Sequence, residues 1–90
     1  MKILACSSNL PLAEEIAKYV GVPLVERNIQ RFADGEHFIE VLENVRGEDM
    51  FAVQATSNPS NENLMELLIT IDALRRGSAK RITAVIPYYG

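Results

Sequence analysis

The chain carries one cysteine, Cys6, so no internal disulfide can close and no cysteine-based metal site can be assembled. It carries one histidine, His37, and a lone His without Cys or a second His nearby cannot be assigned as a metal ligand from sequence. Basic charge is also in short supply. Nine Lys and Arg stand against twelve Asp and Glu, and the net charge of −3 excludes the broad basic field of a non-specific nucleic-acid binder. Any phosphate recognition must therefore be local. No apolar run, including the one around Ile82 to Tyr89, approaches the ~20 residues of a membrane span, and no signal-peptide pattern opens the chain. The default expectation is a cytoplasmic protein with neither a membrane nor a nucleic-acid partner.

What is present is ordinary globular material. The 48% hydrophobic and 23% charged content lies well away from disordered or fibrous compositions, and ninety residues allow one small domain at most. Lys2 to Cys6 reads as a short buried strand. Ser7, Ser8 and Asn9 are candidate caps for a helix that tolerates Pro11 in its first turn. Its apolar stripe is Leu12, Ala13, Ile16, Ala17 and Val20, with Gly21 and Pro23 as the stop.

Leu24 to Arg31 reads as a second strand. Ala33, Asp34 and Gly35 make a turn before the alternating His37, Phe38, Ile39, Glu40 and Val41, which predicts a hairpin. After a second turn at Arg46 to Asp49, the apolar run Met50 to Ala55 predicts a central strand covered on both faces. The polar, Pro59-containing loop Thr56 to Asn63 offers Ser60 or Asn61 as a cap for a long helix with the inner stripe Leu64, Leu67, Leu68, Ile71 and Leu74. Arg75 and Arg76 suit its C-terminal end, with Gly77 as the stop. Ile82 to Ile86 reads as a buried strand ending at Pro87.

This order predicts an α/β fold, a mostly parallel sheet with flanking helices and a β-hairpin, and right-handed crossovers would put the two helices on the sheet's faces. The last strand runs to Pro87, Tyr88, Tyr89 and Gly90, where such a sheet normally continues into a ligand-binding loop, so the sequence reads as cut. The uncovered final strand and its open edge are expected to favour association with another chain.

Few residues announce chemistry by themselves. Cys6, after the first strand and before a capped helix, is placed where a lowered thiol pKa would make a phosphate-accepting nucleophile, as in the small phosphocarriers of sugar phosphotransferase systems. The competing reading is a buried core thiol, favoured because no glycine-rich cradle or phosphate-loop arginine follows. Asp34 and Glu36 suit either acid-base work or a solvated hairpin tip. Arg46, beside Gly47, suits an anion anchor or a plain exposed turn. The segment Ser57 to Asn61 suits a phosphate at a helix N-terminus or simple capping.

Taken together, the strings are more specific. Arg31-Phe-Ala-Asp-Gly-Glu36, Glu43-Asn-Val-Arg-Gly47, Asn61-Glu-Asn-Leu-Met-Glu-Leu-Leu68, Asp72-Ala-Leu-Arg-Arg76 and Lys80-Arg-Ile-Thr-Ala-Val-Ile-Pro-Tyr-Tyr-Gly90 resemble successive segments of the ribose-phosphate pyrophosphokinases. The likeness is weakest at Leu4 to Leu12, where Cys6, Ser7 and Ser8 stand where that family often has Gly-Asn or Gly-Thr. It implies that residues 1–90 are the N-terminal part of a phosphoribosyltransferase-like N-terminal domain.

The resemblance also implies a cytoplasmic homo-oligomer, a hexamer in the family, that transfers the diphosphoryl group of ATP, with Mg2+, to ribose 5-phosphate. The product, phosphoribosyl pyrophosphate, serves nucleotide biosynthesis. Phe32, Asp34 and Glu36 would reach the adenine of ATP across a subunit interface. Asn44, Arg46 and Ser78 would match a regulatory phosphate site, with Asn44 in place of a serine often found there. The metal-binding and catalytic residues of the family match no position in this chain, which is therefore expected to be inactive alone. A non-catalytic, synthetase-associated regulatory protein is the alternative.

Overall fold

A computed structural model describes residues 1–8, 10–57 and 59–87. Its elements run β1 (Lys2–Ala5), α1 (Leu10–Val20), β2 (Arg27–Arg31), β3 (His37–Val41), β4 (Asp49–Val53), α2 (Ser60–Arg76) and β5 (Arg81–Val85). The predicted mixed α/β architecture is the one found. β1, β4 and β5 form a parallel sheet in that order, while β2 and β3 pair antiparallel as a separate hairpin. β4 is central, as its unbroken apolar run requires, with Lys2 opposite Met50 on one side and Met50 opposite Ile82 on the other. Among the described residues no helix is long and apolar enough to cross a membrane.

Strand alternation divides the core between the two faces of this sheet. Leu4, Cys6, Met50 and Ala52 meet Leu67 and Leu74 of α2 on one face. Ile3, Ala5 and Val53 meet Ala13 and Ala17 of α1 on the other. The two helices thus lie on opposite faces, as predicted. The α1 contact is made by small residues four positions apart, which allow a close approach of helix to strand. The α2 face holds the larger side chains, and each fully buried leucine there stabilises the fold by about 1.5–3 kcal/mol.

The stretch expected to be one strand from Leu24 to Arg31 divides its loyalty. Leu24 bridges Ile3 at the edge of the parallel sheet, and the Val25 N–H donates to the Ile3 carbonyl at 2.8 Å. From Arg27 onward the chain leaves the sheet and enters the hairpin, in register Arg27 to Val41 through Arg31 to His37. Ile29 and Val41 pack the ribbon against the α2 side of the core.

Three expectations need correction. The inner stripe of α2 does not contain Leu64 and Leu68, which are 42% and 51% exposed; the buried positions are Asn63, Glu66, Leu67, Thr70 and Leu74. Both stripes have helical spacing, and the buried one is selected because distant residues satisfy its polar groups. The helix's N-cap is Pro59, with no side-chain cap bond, rather than Ser60 or Asn61. Ile82 to Ile86 is a half-exposed edge strand and not a buried one, because among the described residues β5 has a neighbour on one side only.

α2 stops at Gly77 as expected, and the left-handed residue follows at Ser78 (φ 64°). Gly77 is small for another reason: a Cβ there would stand 3.0 Å from Val45 Cγ2. The cap expected of Asn9 and the end segment Tyr88 to Gly90 lie outside the described residues.

Candidate functional site

The carboxyl ends of β1 and β4 hold a connected set of polar side chains that runs from the buried Gln54, Asn63 and Glu66 out to the exposed Ser7 and Arg31. Its centre is Glu66, fully buried. The Ser7 N–H donates to Glu66 Oε2 at 2.7 Å and the Ser7 hydroxyl to Oε1 at 2.8 Å. Gln54 Nε2 donates to Glu66 Oε2 at 3.0 Å and to the Asn63 carbonyl at 3.1 Å. Gln54 Oε1 in turn accepts from the Ser8 N–H at 3.0 Å. Arg31 reaches in from the hairpin, its Nε 3.1 Å from Glu66 Oε1 and its Nη2 2.7 Å from Asn63 Oδ1.

Open α/β sheets usually receive ligands at this end, with the first strand-to-helix turn offering N–H groups to an anion. Here the Ser7 and Ser8 N–H groups are already spent on a carboxylate and an amide of the same chain. That arrangement fits a structural clamp and not a phosphate cradle.

Cys6 belongs to the same region. Its thiol is 1% exposed and lies 3.4 Å from Thr70 Oγ1. Burial pushes its pKa up from 9.0 to about 11, against the weaker opposing effect of the Thr70 hydrogen bond. A reactive nucleophile needs access and a lowered pKa, and Cys6 has neither. The phosphocarrier reading is overturned, and the core thiol stands.

Beyond Arg31 the hairpin projects its turn into solvent. Phe32 is 48% exposed. The turn is nonetheless ordered by its own bonds: Phe32 N–H to the Glu36 carbonyl at 2.8 Å, Gly35 N–H to the Phe32 carbonyl at 2.9 Å, and Glu36 N–H to Asp34 Oδ1 at 3.1 Å. Gly35 takes φ +90°, a conformation other residues adopt only with strain. The structure therefore brings Phe32, Asp34 and Glu36 together on one exposed tip. His37, the first residue of the returning strand, is half-buried, with its Nδ1 enclosed and without a hydrogen-bond partner among the described residues.

The second candidate group sits at the other end of the sheet, before β4 and β5. Asn44 Oδ1 accepts from the Arg46 N–H at 3.0 Å, and the Gly47 N–H donates to the Ser78 carbonyl at 3.0 Å. Asn44, Arg46 and Ser78, far apart in sequence, are thus held on two adjoining loops, and all three are exposed. Behind them a cleft of about 370 Å³ runs between β3 and α2, lined in part by Asn44, Val45, Arg76 and Gly77. The helix-start segment Ser57 to Asn61 is covered only in part, since Asn58 lies outside the described residues. Its Ser57 carbonyl accepts from Asn63 Nδ2 at 2.9 Å.

A sequence profile described as the N-terminal domain of ribose phosphate pyrophosphokinase matches residues 1–90. The chain belongs to the ribose-phosphate pyrophosphokinase family. It is 64% identical to the ribose-phosphate pyrophosphokinase of Granulibacter bethesdensis and 63% identical to that of Agrobacterium fabrum, in each case over the whole chain and 29% of the relative.

The phosphoribosylpyrophosphate synthetase of Mycobacterium smegmatis superposes with a TM-score of 0.94 at 45% identity. The match covers 98% of this chain and 30% of that one. The chain thus spans less than a third of the length of these pyrophosphokinases. Their names give no support to the synthetase-associated regulatory alternative.

The clamp residues Ser7, Gln54, Asn63 and Glu66 were missed as a group by sequence reasoning. The available signal was the polar residues within otherwise apolar elements, Gln54 at the end of its strand and Glu66 between Met65 and Leu67. Among the described residues no three His, Cys, Asp or Glu stand together as metal ligands.

Proposed function

We propose that this chain supplies the nucleotide-facing hairpin of a ribose-phosphate pyrophosphokinase. In the whole protein, the β,γ-diphosphoryl group of Mg–ATP passes to the 1-hydroxyl of ribose 5-phosphate, yielding phosphoribosyl pyrophosphate for nucleotide biosynthesis. Such a transfer depends chiefly on positioning and on neutralising developing phosphate charge. The contribution of this chain is positioning. The supporting observation is the ordered, exposed turn: Phe32 offers a π-face for the purine, and Asp34 and Glu36 offer carboxylate oxygens to the exocyclic amine.

A tip that projects into solvent contacts a nucleotide best when a second surface closes over it. This fits a homo-oligomer in the cytoplasm, in which the hairpin completes a neighbour's site. Asn44, Arg46 and Ser78 are read as a regulatory anion site, Arg46 supplying the guanidinium and Ser78 a hydroxyl.

The deciding experiment is Phe32→Ala in the full-length enzyme. ATP affinity is expected to fall by about 1–3 kcal/mol through lost stacking, with ribose 5-phosphate affinity unchanged. Equal ATP affinity in the variant and the parent would make the hairpin structural only.

A further inference from the structure

We infer that Arg31 and Glu66 are positioning residues for the nucleotide hairpin, acting as a bracket that fixes the tip relative to the carboxyl end of the sheet. This rests on the reading of Phe32 given above. A two-stranded ribbon is marginal by itself. The near end of this one is held by Ile29 and Val41 against the core, whereas the bonds of residues 32–36 are internal to the turn among the described residues.

Arg31 is the last residue of β2, pairs with His37 across the ribbon and directly precedes Phe32. It stands at the joint between ribbon and tip. Its guanidinium is held in two directions, by Glu66 and by Asn63, side chains one turn apart on α2. Two bonds from a planar fork fix orientation as well as distance, which a single ammonium contact does not.

Glu66 is fixed in turn from the other side, by the Ser7 backbone and hydroxyl and by Gln54. The hairpin is therefore tied to the loop after β1, the end of β4 and the first half of α2 through one carboxylate. An apolar side chain of similar volume would often fill a buried position at equal or better stability. What a carboxylate adds is a defined direction for Arg31. Neither Arg31 nor Glu66 needs to touch the nucleotide.

The test is steady-state kinetics on the assembled full-length enzyme with Arg31→Met, Arg31→Lys, Phe32→Ala and the Arg31→Met/Phe32→Ala pair. Arg31→Met keeps the stem and loses the fork. It is expected to raise KM for ATP about tenfold while KM for ribose 5-phosphate stays within about twofold, and Arg31→Lys is expected to recover part of the loss. Because Arg31 acts through the tip, the double variant is expected to be little worse than Phe32→Ala alone.

If Phe32→Ala weakens ATP binding but Arg31→Met does not, or if the two effects multiply, the bracket is wrong while the hairpin reading survives. An inert Phe32→Ala overturns the hairpin reading itself. A uniform loss in both KM values and in thermal stability marks Arg31 as merely structural and also overturns the proposal. Should Arg31→Met fail to assemble, the same ATP-against-ribose comparison and the same cycle with Phe32→Ala are read on Arg31→Lys.

Discussion

The two ends of the parallel sheet are built on opposite principles. At the carboxyl end, Gln54, Asn63 and Glu66 are buried and the exposed Ser7 closes over them, and all four are hydrogen-bonded to one another, so the polar groups there make a rigid frame. At the amino end, Asn44, Arg46 and Ser78 are exposed, backbone bonds hold their loops together, and the Arg46 guanidinium makes no hydrogen bond or ion pair among the described residues. Polar groups that are spent internally hold shape, and polar groups left at the surface remain available to a ligand. The hairpin joins the two ends, with its root near the lower loop and its tip braced by the upper frame.

Breaking the frame should have the largest effect. Glu66→Ala leaves Arg31, the Ser7 N–H and Gln54 Nε2 without their acceptor, and a loss of about 3–4 kcal/mol is expected in denaturant unfolding. A loss below about 1 kcal/mol would place this cluster with ordinary surface polar groups.

Cys6 tests the same end through pH. Its folded pKa, about 11, lies above the unfolded value of 9.0, so its contribution is fully present below pH 9 and is lost as pH rises toward 11. At 1.36 kcal/mol per unit the loss is about 2–3 kcal/mol. Unfolding midpoints of the parent and of Cys6→Ala, taken across that window, should converge as pH rises. Parallel curves would show that the thiol titrates normally and is open to water.

The lower loop should respond far less. Ser78→Gly relieves a left-handed φ of 64° at the cost of added chain entropy, and a net gain of roughly 0.5 kcal/mol is expected in thermal unfolding. A loss instead would mean that the Ser78 side chain holds the two loops together. Smallest of all, Arg46→Ala should leave stability within about 0.5 kcal/mol. The same variant should weaken the response of the full-length enzyme to inorganic phosphate in an activity titration. An unchanged response would remove Arg46 from the proposed anion site.

The hairpin was legible in the sequence because its turn carries a glycine between polar residues and its returning strand alternates. The central strand was legible because Met50 to Ala55 is too apolar to lie anywhere but between neighbours. The polar frame was not, since nothing local says that Ser7, Arg31, Gln54 and Glu66 will meet across separations of up to 59 positions. The inner face of α2 was misread for the same reason. Leu64, Leu67, Leu68 and Ile71 have helical spacing, and so do Asn63, Glu66, Leu67, Thr70 and Leu74.

By itself the sequence determined the order and kind of elements, the sheet's parallel character and the family, because periodicity, turn residues and ordered motifs are local properties. It also limited phosphate binding to local sites by withholding basic charge. Only the tertiary structure decided which face of α2 is buried, that Cys6 is shut away from water, and that Arg31 braces the hairpin. Each of these depends on whether a polar or ionisable group finds its partner on a distant strand or loop, since a buried donor or acceptor left unpaired costs about as much as the burial of a leucine returns.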